Sequence, residues 1–204
     1  MKAKRIITLA LAVILAAMTV VSVSAAQLTE TNPNGKTEVI AHINGAEPGD
    51  VTYILEIPDV VDFEELTIPA DTSSDYDVDR EYYVRAKEIN GLDPNTQQIS
   101  VYVKDQNATV NGDQEFYIAN KDNPAIKFTY DVYSAVGASI DGSSKVNKDN
   151  MFTNGYFLTN FDTEGESLLG TLRFHQKQLY GQNIAEIAGD YSGYMVFFSA
   201  IENI

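Results

Sequence analysis

Short runs in which apolar and polar residues alternate recur along most of this chain, and they restrict its fold more than any other feature of the sequence. Residues 82–87, 99–104 and 126–133 show this two-residue period, which is typical of β-strands with one buried face. Asn-Gly, Asp-Pro and related turn pairs separate the runs, and no segment shows a convincing helical period. The sequence therefore predicts an all-β sandwich or barrel of about eight to ten short strands, and we favour an Ig-like or jelly-roll-like antiparallel β-sandwich.

The same patterns place the other strands and the longest loop. Further strands are predicted at 37–43, 51–57, 116–118, 168–174 and 191–201. Residues 134–150 are rich in Gly, Ser, Asp and Lys and have no sustained period, which predicts a long loop or a crossing between sheets.

The N-terminus resembles a targeting segment rather than part of the fold. Lys2, Lys4 and Arg5 precede an apolar run over 6–21, and Val23-Ser24-Ala25 ends in small residues that a signal peptidase accepts. An uncleaved membrane anchor is the rival interpretation, but the run is near the short limit for a span. We predict a secretory signal peptide (1–26), a flexible leader (27–36), a β-sandwich domain (37–204) and a secreted or cell-surface location.

Charge and the absence of cysteine exclude several classes of protein. A formal charge of −15 and a pI near 4.3 argue against binding nucleic acid, which is itself a polyanion. The chain has no Cys, which excludes a disulfide scaffold, a thiolate zinc site, a cysteine nucleophile and a lipidated cysteine. The last residues, 200–204, carry no sortase-type signal. We therefore expect non-covalent attachment through self-association or other surface proteins, with no transmembrane segment after signal cleavage.

Candidate catalytic residues are sparse. His42 and His175 are the two histidines, and both fall on the polar phase of predicted strands without a nucleophile motif beside them. Acidic residues are abundant, but no pair is singled out for glycoside hydrolysis. The sequence therefore predicts no catalytic residue and no enzymatic activity.

A run of aspartates is the candidate for calcium. Asp75, Asp77 and Asp79 resemble the start of a calcium loop, but the glycine and glutamate that an EF-hand needs at its sixth and twelfth positions are replaced by Arg80 and Ala86. Two interpretations stay open: an irregular calcium site, and a solvated acidic loop that leads into the next strand. We favour the loop and predict no cofactor, with calcium as the one ion left open.

The most unusual strand is the last one. Residues 191–201 contain no charge, and both phases of the strand are apolar. We therefore expect this strand to be covered on both faces. The cover is either a long loop of the same sandwich or another subunit that pairs with a sheet edge or exchanges a strand. The candidate assembly residues are Tyr194, Val196, Phe197 and Phe198.

Two short segments carry a family resemblance. The pattern A-G-D-Y-S-G-x-x-x-F at 188–197 resembles the closing strand of secreted bacterial β-sandwich subunits, namely fimbrial-like and spore-coat-like modules and Ig-like surface proteins of Gram-positive gut bacteria. Residues 57–63, Ile-Pro-Asp-Val-Val-Asp-Phe, resemble a strand entry of the same modules. The resemblance implies a structural or adhesive role with assembly through strand addition or sheet edges. Unlike chaperone-assembled fimbrial subunits, this chain has no obvious missing strand.

These observations favour a secreted or cell-surface structural or adhesive β-sandwich that self-assembles as a fimbrial-like subunit, with residues 27–43 supplying or exchanging a strand. The alternative is a secreted carbohydrate-binding module, in which Tyr82 and Tyr102 are the candidates for stacking on sugar rings. The absence of Trp counts against that alternative. The expected partners are other copies, other surface proteins or glycans.

Overall fold

The computed structural model describes residues 50–73, 76–109, 115–146 and 151–204. The predicted signal peptide, the leader and the strand predicted at 37–43 lie outside these ranges. The described residues form one single-turn α-helix, α1 (Ile184–Ile187), two 3₁₀ helices (Gly137–Ser139 and Gln176–Leu179) and ten strands. The strands are β1 (Thr52–Glu56), β2 (Asp77–Asn90), β3 (Gln97–Asp105), β4 (Phe116–Asn120), β5 (Lys127–Tyr133), β6 (Met151–Phe152), β7 (Gly155–Phe161), β8 (Ser167–His175), β9 (Tyr191–Ser192) and β10 (Met195–Asn203).

The strands pair into two antiparallel sheets. One sheet has six strands in the order β1-β2-β8-β5-β4-β9, and the other has four in the order β10-β3-β7-β6. Apolar residues from the inner faces of both sheets form a common core, as the alternating pattern predicts. The predicted all-β antiparallel sandwich is therefore confirmed. The fully buried members of the core include Val84, Val101, Val103, Val132, Tyr156 and Phe174.

Two strands differ from the expected pattern. β2 begins at Asp77, so the acidic segment is largely strand and not the solvated loop that we favoured. The two-residue period also does not predict β7. Here Tyr156, Leu158 and Phe161 are all buried, and a register shift opposite Val101 and Tyr102 interrupts the alternation.

The C-terminal segment changes sheets in its middle. β9 pairs with β4 in the six-stranded sheet, whereas β10 pairs with β3 in the four-stranded sheet. Gly193 lies between them, and a Cβ atom there would collide with the carbonyl oxygen of Tyr117. The single strand predicted over 191–201 is therefore two strands joined by a crossing that needs a glycine.

The segment after β5 folds back on that strand. The amide of Ser134 donates to the carbonyl of Ser144 at 2.8 Å, and the amide of Val146 donates to the carbonyl of Val132 at 2.8 Å. Residues 134–146 are therefore an ordered excursion against the six-stranded sheet, which includes a 3₁₀ turn at Gly137–Ser139.

Candidate functional site

β10 lies at one border of the four-stranded sheet and, among the described strands, pairs only with β3. At one end the amide of Gln106 donates to the carbonyl of Tyr194 at 3.1 Å. At the other end the amide of Ile204 donates to the carbonyl of Thr96 at 3.0 Å. Because the pairing has no register shift, even-numbered residues turn their backbone groups toward β3. The odd-numbered residues, such as Ile201, turn their N–H and C=O groups to the side away from β3.

The four candidate assembly residues do not share one surface. Tyr194, Val196 and Phe198 are 64%, 38% and 41% exposed. Phe197 instead packs against the core, with its ring centroid 6.4 Å from that of Tyr82. The expected cover by a loop of the same sandwich is therefore corrected, because the described residues cover only the inner face, which lies on the core. Cover of the outer face by another subunit stays a prediction. Phe197 belongs to the inner face, which corrects its assignment as an assembly residue.

An aromatic row crosses the outer face of the four-stranded sheet. Tyr102 of β3 lies between Phe157 of β7, at 5.9 Å and nearly perpendicular, and Phe198 of β10, at 6.4 Å. Phe157 and Phe198 are 46% and 41% exposed, whereas Tyr102 is buried between them. The sequence pattern indicates Tyr102 and Phe198 as separate candidates. It does not indicate Phe157, because it does not predict β7.

A chain of hydrogen bonds adjoins this row. The Tyr102 hydroxyl donates to Oε1 of Glu202 at 2.6 Å, and Ser100 Oγ donates to Oε2 of the same carboxylate at 2.8 Å. Gln98 Nε2 donates to Ser100 Oγ at 3.3 Å, and Asn160 Nδ2 donates to Gln98 Oε1 at 2.7 Å. The bond to Glu202 is the main cause that raises the pKa of Tyr102. The carboxylate is thus held by two hydroxyls beside the aromatic row.

Tyr82, the other tyrosine proposed for sugar stacking, is part of the core. It is 2% exposed, and its hydroxyl donates to the carbonyl of Tyr133 at 3.1 Å. Burial raises the pKa of this phenol well above its usual range. Tyr82 is therefore not available to a ligand, which corrects its assignment as a candidate. Tyr102 reaches the outer face only as the recessed middle of the row.

Asp77 and Asp79, two of the aspartates proposed for calcium, lie in β2 and pair with basic side chains. Asp75 lies outside the described residues. Asp79 accepts two hydrogen bonds from Arg173, at 2.7 Å to Nε and 2.8 Å to Nη2. Asp77 lies 3.5 Å from Arg173 Nε and 2.6 Å from His175 Nδ1. The cross-strand register of β2 and β8 places Asp77 opposite His175 and Asp79 opposite Arg173, so the two strands bring these charges together.

His175 also contacts a third strand. Its Nε2 atom lies 3.1 Å from Oδ2 of Asp131 in β5, on the other side of the ring from Asp77. Lys145 Nζ donates to the same oxygen of Asp131 at 2.7 Å. Each ring nitrogen of His175 therefore faces one carboxylate, that of Asp77 or that of Asp131. No local pattern in the sequence indicates this network, because residues 77, 131 and 175 meet only through the sheet order.

The described ranges contain no group of three or more His, Asp or Glu side chains placed to hold a metal ion. At His175 the carboxylates of Asp77 and Asp131 lie on opposite sides of the ring and do not converge on one point. His42 lies outside the described residues.

A cavity of about 350 Å³ opens beside β5. Asp131 and Lys145 lie on its wall and neutralise each other as an ion pair. Tyr130 also lines the cavity, and the pKa of its phenol is raised mainly by burial and further by Asp105. The other lining residues are Glu115, Phe116, Thr129, Val132, Gly142, Val146 and Tyr156.

No helix within the described part of the chain combines the length and the apolar character that a membrane crossing needs. No protein-family model matches the chain, and a comparison with curated proteins found no match. Among solved structures, the chain is similar to one described as part of a chaperone–tip adhesin complex in the biogenesis of CFA/I fimbriae. The identity is 12%, the TM-score is 0.41, and the match covers 74% of this chain and 52% of that chain. This chain therefore spans about half the length of that neighbour.

Proposed function

We propose that the protein is an exported structural or adhesive β-sandwich subunit that assembles through the side of β10 that faces away from β3. The observation that carries this proposal is the backbone of β10. Its odd-numbered residues direct their N–H and C=O groups away from β3, and an extended segment could pair with that row by adding a strand.

The composition of β10 supports this role. Sheet borders are commonly protected by Lys, Pro, bulges or inward charges, which discourage pairing with other chains. β10 contains no Lys or Pro, its pairing with β3 has no bulge, and Tyr194 and Val196 expose apolar surface beside it. By contrast, β1, at one border of the six-stranded sheet, ends at Glu56 and is followed closely by Pro58.

The partner strand that we propose is residues 37–43 of a second copy. This segment, Thr-Glu-Val-Ile-Ala-His-Ile, alternates in the manner of a strand and follows the polar residues 27–36. One copy would then contribute this segment to β10 of the next, and the contacts would continue from subunit to subunit.

Light scattering after size exclusion, with negative-stain electron microscopy, tests the proposal on mature protein with and without residues 27–43. We expect oligomers or filaments of the longer protein and a folded monomer of the shorter one. Urea unfolding of both forms controls for loss of the fold. If both are equally folded monomers at every concentration tested, assembly through this segment is wrong.

A further inference from the structure

The outer face of the four-stranded sheet exposes two phenylalanine rings, one on each side of strand β3. Phe157 and Phe198 lie on β7 and β10, with β3 between them, and Tyr102 packs against both rings. Two strand spacings of about 4.8 Å each separate the outer strands, which is comparable with the length of a disaccharide unit. This surface is distinct from the side of β10 that faces away from β3, because side chains form it and backbone groups do not.

Fixed polar groups lie next to the rings. Both oxygens of the Glu202 carboxylate are positioned by the hydroxyls of Tyr102 and Ser100, and the amides of Gln98 and Asn160 continue the hydrogen-bonded row across three strands. A pyranose ring has an apolar face that packs on an aromatic ring and hydroxyls that bond with carboxylates and amides. Aromatic surfaces with a few prepositioned polar groups are what such ligands need.

The charge of this face favours a neutral ligand. Lys104 and Glu202 are the charged side chains among the described outward-facing residues of β10, β3 and β7, and their charges offset each other. The whole chain carries a formal charge of −15, which repels acidic polysaccharides at long range.

The shape of the row argues against a protein partner at this position. The row of Phe157, Tyr102 and Phe198 is one side chain wide on each strand, with Val196 and Tyr194 exposed beside it along β10, whereas a stable protein interface buries about 800 Å² on each partner. We therefore propose that Phe157, Tyr102 and Phe198, together with Glu202, form a binding face for a neutral pyranose polysaccharide.

Affinity electrophoresis of the full-length protein tests this proposal. Native gels contain mixed-linkage β-glucan, xylan or galactomannan as neutral probes and polygalacturonate as the anionic probe. We expect slower migration with at least one neutral probe and none with polygalacturonate. Phe157→Ala and Phe198→Ala should each raise the dissociation constant about tenfold.

Tyr83→Ala is the matched control, because Tyr83 is 42% exposed on the outer face of the other sheet. Circular dichroism and urea unfolding establish that each variant is folded. Tyr102→Phe gives a second measurement, since it keeps the ring but removes one of the two hydroxyls that hold Glu202, and we expect weaker binding with an intact fold. The proposal is overturned by no retardation with any neutral probe, by retardation with polygalacturonate alone, or by an equal effect of Tyr83→Ala. Loss of oligomers in Phe157→Ala without any glycan binding would likewise overturn it and assign this face to a protein contact.

Discussion

Phe197 and Phe198 are consecutive residues whose rings lie on opposite faces of β10. The Phe197 ring packs 6.4 Å from Tyr82 in the core, and the Phe198 ring lies 6.4 Å from Tyr102 on the outer face, where 41% of Phe198 is exposed. One ring therefore stabilises the fold, and the other is free to contact a ligand or a partner.

This difference predicts that the same substitution will lower stability much more at position 197 than at position 198. Phe197→Ala removes a ring from the core and should lower the free energy of unfolding by about 2–3 kcal/mol, somewhat less than for a fully buried phenylalanine. Phe198→Ala removes an exposed ring and should change it by at most about 0.5 kcal/mol. Urea unfolding followed by circular dichroism measures both values. Equal losses in the two variants would contradict the assignment of the faces.

The backbone directions in β10 give a second prediction. Ala200 lies opposite Ser100 in the hydrogen-bonded ladder, so Ala200→Pro should cost about 3 kcal/mol of stability. Ile201 turns its N–H away from β3, so Ile201→Pro should cost clearly less. Ile201→Pro should also abolish assembly, because it removes a donor from the side that pairs with the next subunit. Unfolding and light scattering on the same samples test both points, and a reversed order of stability would show that the backbone directions are wrong.

The close packing around Gly170 predicts that adding one methyl group there lowers the stability of the protein. A Cβ atom at this position would collide with the ring of Tyr82 and with the carbonyl of Tyr133, in the middle of the six-stranded sheet. Gly170→Ala should therefore destabilise the protein by about 1–3 kcal/mol. Gly142→Ala is the matched control, because nothing lies within 4 Å of a Cβ atom there. A thermal melt of Gly170→Ala that matches the control would contradict this packing.

The hydrogen bonds that Asp131 accepts predict that the stability of the protein depends on pH. Burial by itself would raise its pKa, but hydrogen bonds from Lys145 and His175 outweigh burial and lower that pKa. The stability that this carboxylate contributes is therefore complete above its unfolded pKa of about 3.9 and is lost as pH falls through the lower folded value. We expect Asp131→Asn to be about 1 kcal/mol less stable than wild type near neutral pH. The difference should shrink on acidification below about pH 4.

Urea unfolding at several pH values measures this difference. The exposed Asp59 supplies the control substitution, Asp59→Asn, which should show no comparable trend. A difference between Asp131→Asn and wild type that stays constant down to low pH would refute the role of Asp131.

Local periodicity predicts the fold class of this chain but not its charged network or its aromatic row. Alternation identifies β3 and β5 because one phase of each meets the core. It does not predict β7, where a register shift places three closely spaced residues inside. It also does not tell which apolar face of β10 is covered, because that depends on the position of the strand at a sheet border. The contacts among Asp77, Asp131 and His175 depend on strand order, which no local pattern contains.

The crossing at Gly193 has a consequence for the order of folding. β9 and β10, on either side of it, supply the outermost strands of different sheets, and both come from residues 191–203. During synthesis, neither sheet can be completed until those residues have left the ribosome. Until then β4 and β3 each lack a neighbouring strand, and the same short segment supplies both.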